Sequence, residues 1–301
     1  MRKQFNASRP QLRFCRIASK AAAHALVAAV LLSFPPRSSA QTLTRIDFPN
    51  ALQTVPTGIN AAGDIVGEYL DSNLVGHGFL LRRGLYTTIE VPGALSTSVT
   101  GINSAGDIVG GYVDETGSHG YLLRNGTVTN VDVPGAQFTI PTGINSAGLI
   151  VGQYTDADGT HGFAYDHGTF TTIEAPGSDR LTVVSGIDSR GRIVGSYFSE
   201  ALVHGFVLDK GEYTVIDYPG ATSTNLYAIN PAGQIVGGAY SNGVFTSFLL
   251  EKGTYTSIVV PFGTQTAATG INPSGAIVGS YVDPEQTAGV ESALRGFLLR
   301  F

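Results

Sequence analysis

A thirteen-residue segment recurs along the chain almost unchanged, and this recurrence limits the folds that the sequence can adopt. The segment "TGINAAGDIVGEY" at 57–69 returns as "TGINSAGDIVGGY" at 100–112. A regular period of 42 or 43 residues indicates a repeat architecture. The sequence therefore predicts six equivalent units, whose Gly-Ile-Asn elements begin at Gly58, Gly101, Gly143, Gly186 (as "GID"), Ala228 (as "AIN") and Gly270.

Each unit is predicted to contain four short β-strands. In the first unit they read "PTGIN", "DIVGEY", "GFLLR" and "YTTIEV", which are rich in Ile, Val, Tyr, Phe and Thr and are separated by turn residues. No segment after Gln41 shows a helical pattern. Four antiparallel strands in a unit of this length are typical of a β-propeller blade, and six units lie within the usual range of blade numbers.

The turns between these strands support the same interpretation. Between the first and second strands, five units read Asn-x-x-Gly and the fourth reads "DSRG" from Asp188, which is typical of a type I turn followed by a left-handed residue. We interpret Asn60 and its equivalents as structural, and expect Asn103→Asp to be mild because Asp188 already occupies the same place. Gly58 is replaced by Ala228 in the fifth unit, which indicates selection for small size rather than for positive φ.

The turn between the third and fourth strands consists of two residues ending in Gly. It occurs as Arg83-Gly84, Asn125-Gly126, His167-Gly168, Lys210-Gly211 and Lys252-Gly253. Two-residue turns of this kind are typical of type I′ hairpins. His167 is therefore expected to lie at a solvated hairpin tip.

The ends of the chain predict how the ring closes. The sixth unit supplies three strands before Phe301, and its missing fourth strand is present at the other end as "TLTRIDF" at 42–48. An open solenoid has no use for an orphan strand and requires polar caps. The sequence thus predicts an all-β, six-bladed β-propeller of 42–43-residue repeats over residues 41–301, closed by the N-terminal strand.

Residues 1–40 have the order of a cleaved secretory signal peptide. Basic residues precede the apolar run from Ala21 to Phe34, and "PPRSSAQT" follows. The alternative, a membrane anchor, needs about 18 apolar residues, more than this run provides. We expect export to the periplasm or the extracellular space, loss of the only cysteine, Cys15, with the peptide, and no membrane span in the mature chain.

The charge balance of residues 41–301 limits the partners. Seven of the 18 Lys and Arg residues but none of the 23 Asp and Glu residues lie in 1–40, so the mature net charge is −12. Nucleic acid is therefore not an expected partner. We expect a monomer with an unidentified carbohydrate or protein ligand.

The combination of "GIN..G.IVG.Y" with "HGFLL" resembles the bacterial extracellular HAF-repeat family, whose motif pairs a Gly-Ile-Asn turn with a His-Ala-Phe strand. The resemblance covers all six units. It implies export and a β-propeller-like repeat architecture, and it leaves function open because the family has no established activity. The chain departs from the motif by the absence of a terminal Trp and by Gly in place of Ala at Gly78, Gly120, Gly162 and Gly205.

Two sets of side chains recur at fixed strand positions. Histidines occur at His77, His119, His161 and His204, replaced by Thr246 and Arg295 in the last two units. A ring of imidazoles can bind a transition metal, but a repeated hydrogen bond is favoured because Arg cannot act as a ligand. The aromatic residues are expected to form the core rather than a sugar-stacking platform: Tyr69, Tyr112, Tyr154, Tyr197, Tyr240 and Tyr281 on the second strand, and Phe79, Tyr121, Phe163, Phe206, Phe248 and Phe297 on the third.

Acidic residues concentrate where the second-to-third and fourth-to-next connections emerge on one face. Such a face can bind Ca²⁺, with Asp114, Asp156 and Asp158 as candidate ligands. The fragment "DADG" at 156–159 lacks the full calcium loop, so a solvated acidic rim is the alternative. No other cofactor is expected.

The long connection in the sixth unit, 283–294, is a candidate binding loop. It carries Asp283, Glu285 and Glu291 and is longer than its counterparts. Loops of variable length on a rigid frame often carry binding residues. The alternative is a disordered insertion.

The sequence favours a binding module over an enzyme. It contains no Gly-x-Ser-x-Gly, no His-Glu-x-x-His and no phosphate-binding glycine loop. We predict an exported binding or surface-interaction module. The alternative is a secreted hydrolase or lactonase with its site in the propeller channel, which would require unlike polar residues to converge on the axis.

Overall fold

The computed structural model of the protein describes residues 41–284 and 294–301. Within these ranges the regular structure consists of β-strands alone, which confirms the predicted all-β class, and no helix there is long and apolar enough to cross a membrane. The signal peptide predicted for residues 1–40 lies outside the described residues, as do Glu285 and Glu291.

The described ranges contain 24 strands, and the pattern of four strands per repeat is as predicted. In chain order they are β1 (Thr42–Ile46), β2 (Gln53–Ile59), β3 (Ile65–Leu70), β4 (Gly76–Arg82), β5 (Leu85–Ile89), β6 (Ser96–Ile102), β7 (Ile108–Asp114), β8 (Gly117–Arg124), β9 (Thr127–Asn130), β10 (Phe138–Ile144), β11 (Ile150–Thr155), β12 (Thr160–Asp166), β13 (Thr169–Ile173), β14 (Thr182–Ile187), β15 (Ile193–Ser199), β16 (Leu202–Asp209), β17 (Glu212–Ile216), β18 (Ser223–Ile229), β19 (Ile235–Ser241), β20 (Val244–Glu251), β21 (Thr254–Ser257), β22 (Thr264–Ile271), β23 (Ile277–Val282) and β24 (Leu294–Arg300).

The strands form four four-stranded antiparallel sheets and one eight-stranded sheet. The eight-stranded sheet contains the fourth and fifth repeats, which are joined by one parallel pair, Val203 with Ser223. The first strands of the six repeats, β2, β6, β10, β14, β18 and β22, surround a common axis and line a narrow channel of about 100 Å³.

Glycine allows these first strands to approach each other closely at the axis. A methyl group on Gly101 would lie 3.3 Å from the Cα atom of Gly143, and one on Gly270 would lie 3.3 Å from the Cα atom of Gly58. The neighbouring threonines add hydrogen bonds between repeats, such as the 2.7 Å bond from Thr100 Oγ1 to the carbonyl oxygen of Pro141. The interpretation that this position requires small size is confirmed.

The Asn-x-x-Gly turns form a second connection between repeats. Gly106 has a φ of +89°, as the predicted turn requires. Asn103 Oδ1 accepts hydrogen bonds from the backbone N–H groups of Ala105 and Asp107, both at 2.9 Å, and Asn103 Nδ2 donates to the carbonyl oxygen of Asn145 at 3.2 Å. The same bond from Asn272 to the carbonyl oxygen of Asn60, at 3.2 Å, links the sixth repeat to the first. The structural interpretation of these asparagines is confirmed.

The fourth repeat keeps this connection by a different route. An aspartate cannot donate the bond to the next repeat, and Arg192 donates it instead, from Nη2 to the carbonyl oxygen of Asn230 at 3.0 Å. Arg192 also neutralises Asp188, with 2.6 Å between Nη2 and Oδ2. Asn103 has Asp107 in the place of Arg192, and its Nδ2 lies 2.9 Å from Asp107 Oδ2. The surroundings of Asp188 therefore differ from those of Asn103. The presence of Asp188 does not imply that Asn103→Asp has a mild effect.

We now expect Asn103→Asp to destabilise the fold by about 2–4 kcal/mol, because it places two carboxylates against each other in a buried turn. Asn230→Asp is the matched control, since Asn230 Nδ2 makes the same bond to the next repeat, to the carbonyl oxygen of Asn272 at 3.0 Å, and neutral Gln234 stands in the place of Asp107. Chemical denaturation should show a clearly smaller loss for the control.

The pH dependence of the same two variants separates this cause from loss of the amide donor. Paired carboxylates have raised pKa values in the folded state, so the folded protein is favoured when one of them is protonated. The destabilisation by Asn103→Asp should therefore grow as pH rises above about 4. Equal effects of Asn103→Asp and Asn230→Asp at all pH values would contradict the explanation.

The hairpin tips adopt the predicted type I′ geometry. Both residues have positive φ in each tip, as in His167 at 47° and Gly168 at 95°. The His167 side chain is 82% exposed. Its expected position at a solvated tip is confirmed.

The N-terminal strand pairs with the last strand, as predicted. Thr42 lies opposite Arg300 in an antiparallel register that continues to Ile46 opposite Gly296. Ile46 is 3% exposed, and the ring of Phe48 stacks on that of Tyr69 with 3.7 Å between centroids. The sheet of the sixth repeat therefore contains strands from both ends of the described chain.

Removal of the residues before Asn50 should destabilise the protein by several kcal/mol relative to a form beginning at Gln41. Burial of Ile46 alone accounts for about 1.5–3 kcal/mol, and the deletion also leaves the edge of β24 unpaired. Thermal melts of the two forms provide the measurement. Coincident melting curves would show that this strand does not close the ring.

The prediction of the aromatic core is confirmed for the third strand and is in part wrong for the second strand. The six third-strand rings are fully buried. On the second strand, Tyr281 is fully buried but Tyr240 is 48% exposed. The register explains the difference, because Ala239, not Tyr240, lies opposite Thr246 at the place that Tyr69 occupies opposite His77.

Candidate binding face

One face of the ring carries the connections between the second and third strands of each repeat and the ends of the fourth strands. We call it the loop face. Its second-to-third connections differ in length between repeats, from residues 71–75 in the first to 115–116 in the second. The predicted acidic residues lie here, and most of them are in contact with the recurring histidines.

Each histidine makes the predicted hydrogen bond within its own repeat. In the first repeat, His77 Nδ1 lies 2.9 Å from Glu90 Oε1 and Nε2 lies 3.4 Å from Asp71 Oδ2, so the ring bridges two connections. Three more pairs repeat the Nδ1 contact: His119 with Asp132, His161 with Glu174 and His204 with Asp217. The hydrogen-bond interpretation of the histidines is confirmed.

The two repeats without histidine differ from each other at the acidic position. In the fifth repeat, Thr246 stands in place of the histidine and the acidic position is occupied by Val259, which is 71% exposed. In the sixth repeat, Arg295 Nη1 lies 3.9 Å from Asp47 Oδ1. Every repeat that has the acidic residue also has a basic residue to pair with it. This indicates that the two residues function as a pair.

The candidate calcium ligands are engaged in their own loops. Asp114 Oδ1 accepts bonds from the backbone N–H of Thr116 at 2.7 Å and from its hydroxyl at 2.6 Å. Asp156 Oδ1 accepts from the N–H of Asp158 at 2.8 Å and lies 3.1 Å from His161 Nε2. Residues 41–284 and 294–301 contain no group of three or more His, Cys, Asp or Glu side chains arranged for a metal ion. Calcium binding at Asp114, Asp156 and Asp158 stays a prediction.

Asp283 is the one residue of the candidate sixth-unit loop site that lies within the described residues. Its Oδ2 atom lies 2.7 Å from Arg45 Nη2, and the residue is 8% exposed. The ion pair connects the end of β23 to β1 and so contributes to closure of the ring. The binding-loop hypothesis stays a prediction.

The contacts of His161 make the stability of the fold depend on pH. Burial lowers the pKa of His161, but its hydrogen bonds to Glu174 and Asp156 outweigh this effect and raise the pKa above its ordinary value. The backbone N–H of Asp158 is the largest influence on Asp156 and lowers the pKa of that carboxyl. Protonated His161 therefore stabilises the fold below about pH 6.5, and this contribution is lost as pH rises through the folded-state pKa.

Glu174→Gln should lower the pKa of His161, because it replaces the carboxylate that most favours the imidazolium form with a neutral amide. NMR titration of the imidazole resonances measures this pKa directly. The imidazole resonances of His77, which does not contact Glu174, should be the same in both proteins and serve as the internal control. An unchanged or higher pKa of His161 would contradict the role given to Glu174.

The central channel does not supply the unlike polar groups that the lactonase alternative requires. It is lined by one Thr-Gly-Ile or related triplet from each repeat, and Tyr227 and Ala228 are the main departure from that pattern. Its lining residues include no Asp, Glu or His. A six-fold repeated, uncharged lining offers no asymmetric arrangement of acid and base.

A larger cavity on the loop face departs from the repeat symmetry. This second-repeat cavity has a volume of about 180 Å³ and extends across the second repeat from the first repeat to the third. It is lined by Glu68, Ser98, Gly111, Tyr112, His119 and Ile140, among others. The sequence analysis did not predict it.

Two facing residues in the wall of the cavity are both small. Ser98 lies opposite Gly111 in the register of β6 and β7. The equivalent pairs are Val55 with Glu68, Ile140 with Gln153, Val183 with Ser196, Asn225 with Gly238 and Ala267 with Ser280. The fifth repeat also has Gly, but there the ring of Phe245 lies 2.5 Å from the position of a Cβ on Gly238 and fills the space.

Glu68 provides the charge of this cavity. Its carboxylate makes no hydrogen bond or ion pair with any other residue that the structure describes, and burial raises the pKa of this carboxyl. At the other side of the cavity, His119 is held by Asp132 and Asp114. A single unpaired carboxylate thus faces a cavity with hydroxyl and aromatic walls.

No family model and no curated protein sequence matches the chain. Solved structures do. Virginiamycin B lyase from Staphylococcus aureus aligns with a TM-score of 0.50 at 14% identity over 87% of this chain and 100% of that chain. TolB from Acinetobacter baumannii aligns with a TM-score of 0.59 at 12% identity, over 78% and 63%. A gluconolactonase from Xanthomonas campestris aligns with a TM-score of 0.51 at 11% identity, over 83% and 89%.

The fold is a β-propeller. The sheets around one axis and the similarity to these structures agree on this, and they confirm the predicted β-propeller class. At identities this low the similarity extends to the fold alone. In a β-propeller the loops at one end of the ring are free to vary while the sheets remain fixed. The loop face of this protein has that property.

Proposed function

We propose that the protein is an exported, six-bladed β-propeller that binds a ligand at its loop face, in the second-repeat cavity. The blade number follows if the eight-stranded sheet is two blades, which is supported by the single residue pair that joins its halves. Export is supported by the order of residues 1–40, and the resemblance to the HAF-repeat family agrees with both.

The observation that carries the proposal is the departure of the cavity from the symmetry of the ring. An asymmetric ligand requires an asymmetric site, and six nearly identical units offer one only where their sequences differ. Ser98 and Gly111 create such a difference on the face whose loops also differ. The axial channel, in contrast, is nearly the same in every repeat.

A binding module fits this cavity better than a lactonase does. Hydrolysis of a lactone requires an acid, a base or a metal beside the reacting carbonyl. The cavity has one unpaired carboxylate, Glu68, and its histidine, His119, is already held by two aspartates. The gluconolactonase among the similar structures supports the fold and not the reaction.

A screen of the protein beginning at Gln41 tests the proposal. A glycan array and a set of secreted proteins test binding, and a panel of lactones and esters tests hydrolysis. Gly111→Gln should weaken any ligand of the cavity by at least about tenfold, because the side chain fills it, as Gln153 does in the third repeat. A Cβ at Gly111 requires a small shift of the Ser98 hydroxyl, which would lie 3.3 Å away, and the next nearest atoms lie at 3.5 Å.

Glu115→Gln is the matched control. Glu115 is exposed, lies on the loop face near the cavity and does not line it. This variant should bind as the parent does, and the melting temperatures of all three proteins should agree within a few degrees. A ligand whose affinity is unchanged by Gly111→Gln would place the binding site elsewhere, and turnover of a lactone by both variants would favour the enzyme alternative.

A further inference from the structure

We infer that the second-repeat cavity takes a compact organic ammonium group, which Glu68 binds as the counter-ion. The inference rests on the proposed function of the loop face as a binding surface and names the chemical class of its ligand. It is argued from the state of Glu68, from the cavity walls and from the cavity size.

Glu68 differs from the other acidic residues around it. Glu90 and Asp132, which also lie on the loop face, each contact a histidine at 2.9–3.0 Å. Glu68 has no such partner among the described residues, although it is partly buried. A carboxylate in this position loses hydration without gaining a counter-charge, and an ammonium group bound beside it supplies both the charge and the hydrogen bonds.

The walls of the cavity suit the remainder of such a ligand. Ser96 and Ser118 provide hydroxyl groups that can accept N–H bonds, whereas the Ser98 hydroxyl is bonded to the backbone of Gly111, and Tyr112 provides an aromatic wall. Ile140 contributes an apolar wall for an alkyl chain. An anionic ligand would meet Glu68 as a like charge.

The size of the cavity limits the ligand. Its volume of about 180 Å³ is slightly larger than a cavity of about 150 Å³ that holds benzene, so about six to eight non-hydrogen atoms fit. Val113, which is 39% exposed, lies at the edge where the cavity meets the solvent. A short alkylammonium or the end of a lysine side chain has these dimensions.

NMR titration with n-butylammonium, n-butanol and butyrate tests the inference directly. The three probes share the alkyl chain and differ in charge. At about pH 8 the amine probe is protonated and the butyrate probe is ionised. The ammonium should bind saturably and produce the largest chemical-shift changes at Ser98 and Tyr112. Butanol should bind at least about tenfold more weakly and butyrate not at all.

Glu68→Gln identifies the counter-ion. Gln153 occupies the equivalent place in the third repeat, so the fold accepts the amide. This variant should weaken n-butylammonium at least about tenfold and make its affinity similar to that of butanol. Glu115→Gln removes the same charge from the same face outside the cavity and should leave the affinity unchanged.

The outcomes separate this inference from the proposed function. Equal loss of affinity in Glu68→Gln and Glu115→Gln, or tighter binding of butanol than of the ammonium, would overturn the inference. A ligand found in the screen and lost in Gly111→Gln would still support the binding face. A lysine blocked at both backbone ends is the second probe. If it binds as n-butylammonium does, the cavity accepts a lysine side chain of a protein. If n-butylammonium binds and the blocked lysine does not, the cavity accepts only a small-molecule amine.

Discussion

Close contact between backbones at the axis is the constraint on which the rest of the structure depends. Five of the six axial positions are Gly and the sixth is Ala, and a side chain on most of them would press against the backbone of the next repeat. This spacing brings the threonine hydroxyls and the asparagine amides within reach of carbonyl groups in the following repeat. The ring is thus held by short polar bonds at its centre and by buried aromatic rings farther out.

The outer part of the ring follows a different rule. At the axis all six repeats keep nearly the same residues, whereas the histidine and acid positions of the loop face vary: Thr246 and Val259 replace both partners in the fifth repeat, and Arg295 replaces the histidine beside Asp47 in the sixth. Each of these base–acid pairs lies within one repeat, so the pair of one repeat can change without disturbing the others. That independence lets a single repeat acquire a cavity while the framework remains intact.

Much of the architecture follows from residues that can be read in the sequence, because glycine at positive φ and strand periodicity are local properties. The turn at Gly106, the tip at His167 and the pairing of β1 are examples. Properties that depend on a partner across a strand were less accessible. The effect of Asp188 depends on Arg192, and the cavity depends on Ser98 facing Gly111. Comparing facing pairs between repeats, rather than single positions, would have revealed the cavity.

The pairing of Thr42 with Arg300 joins residues from opposite ends of the described chain. The entropy lost on closing a loop grows only with the logarithm of its length, by about 0.6 kcal/mol for each doubling, so this long-range contact costs little more at equilibrium than a much shorter one. Its cost is kinetic, because contacts between residues far apart in sequence form slowly. Until β24 has been synthesised, β1 has no partner and the edge of the sixth repeat does not exist. The strand pair that makes the ring continuous can therefore form only after β24, the last of the described strands, has been synthesised.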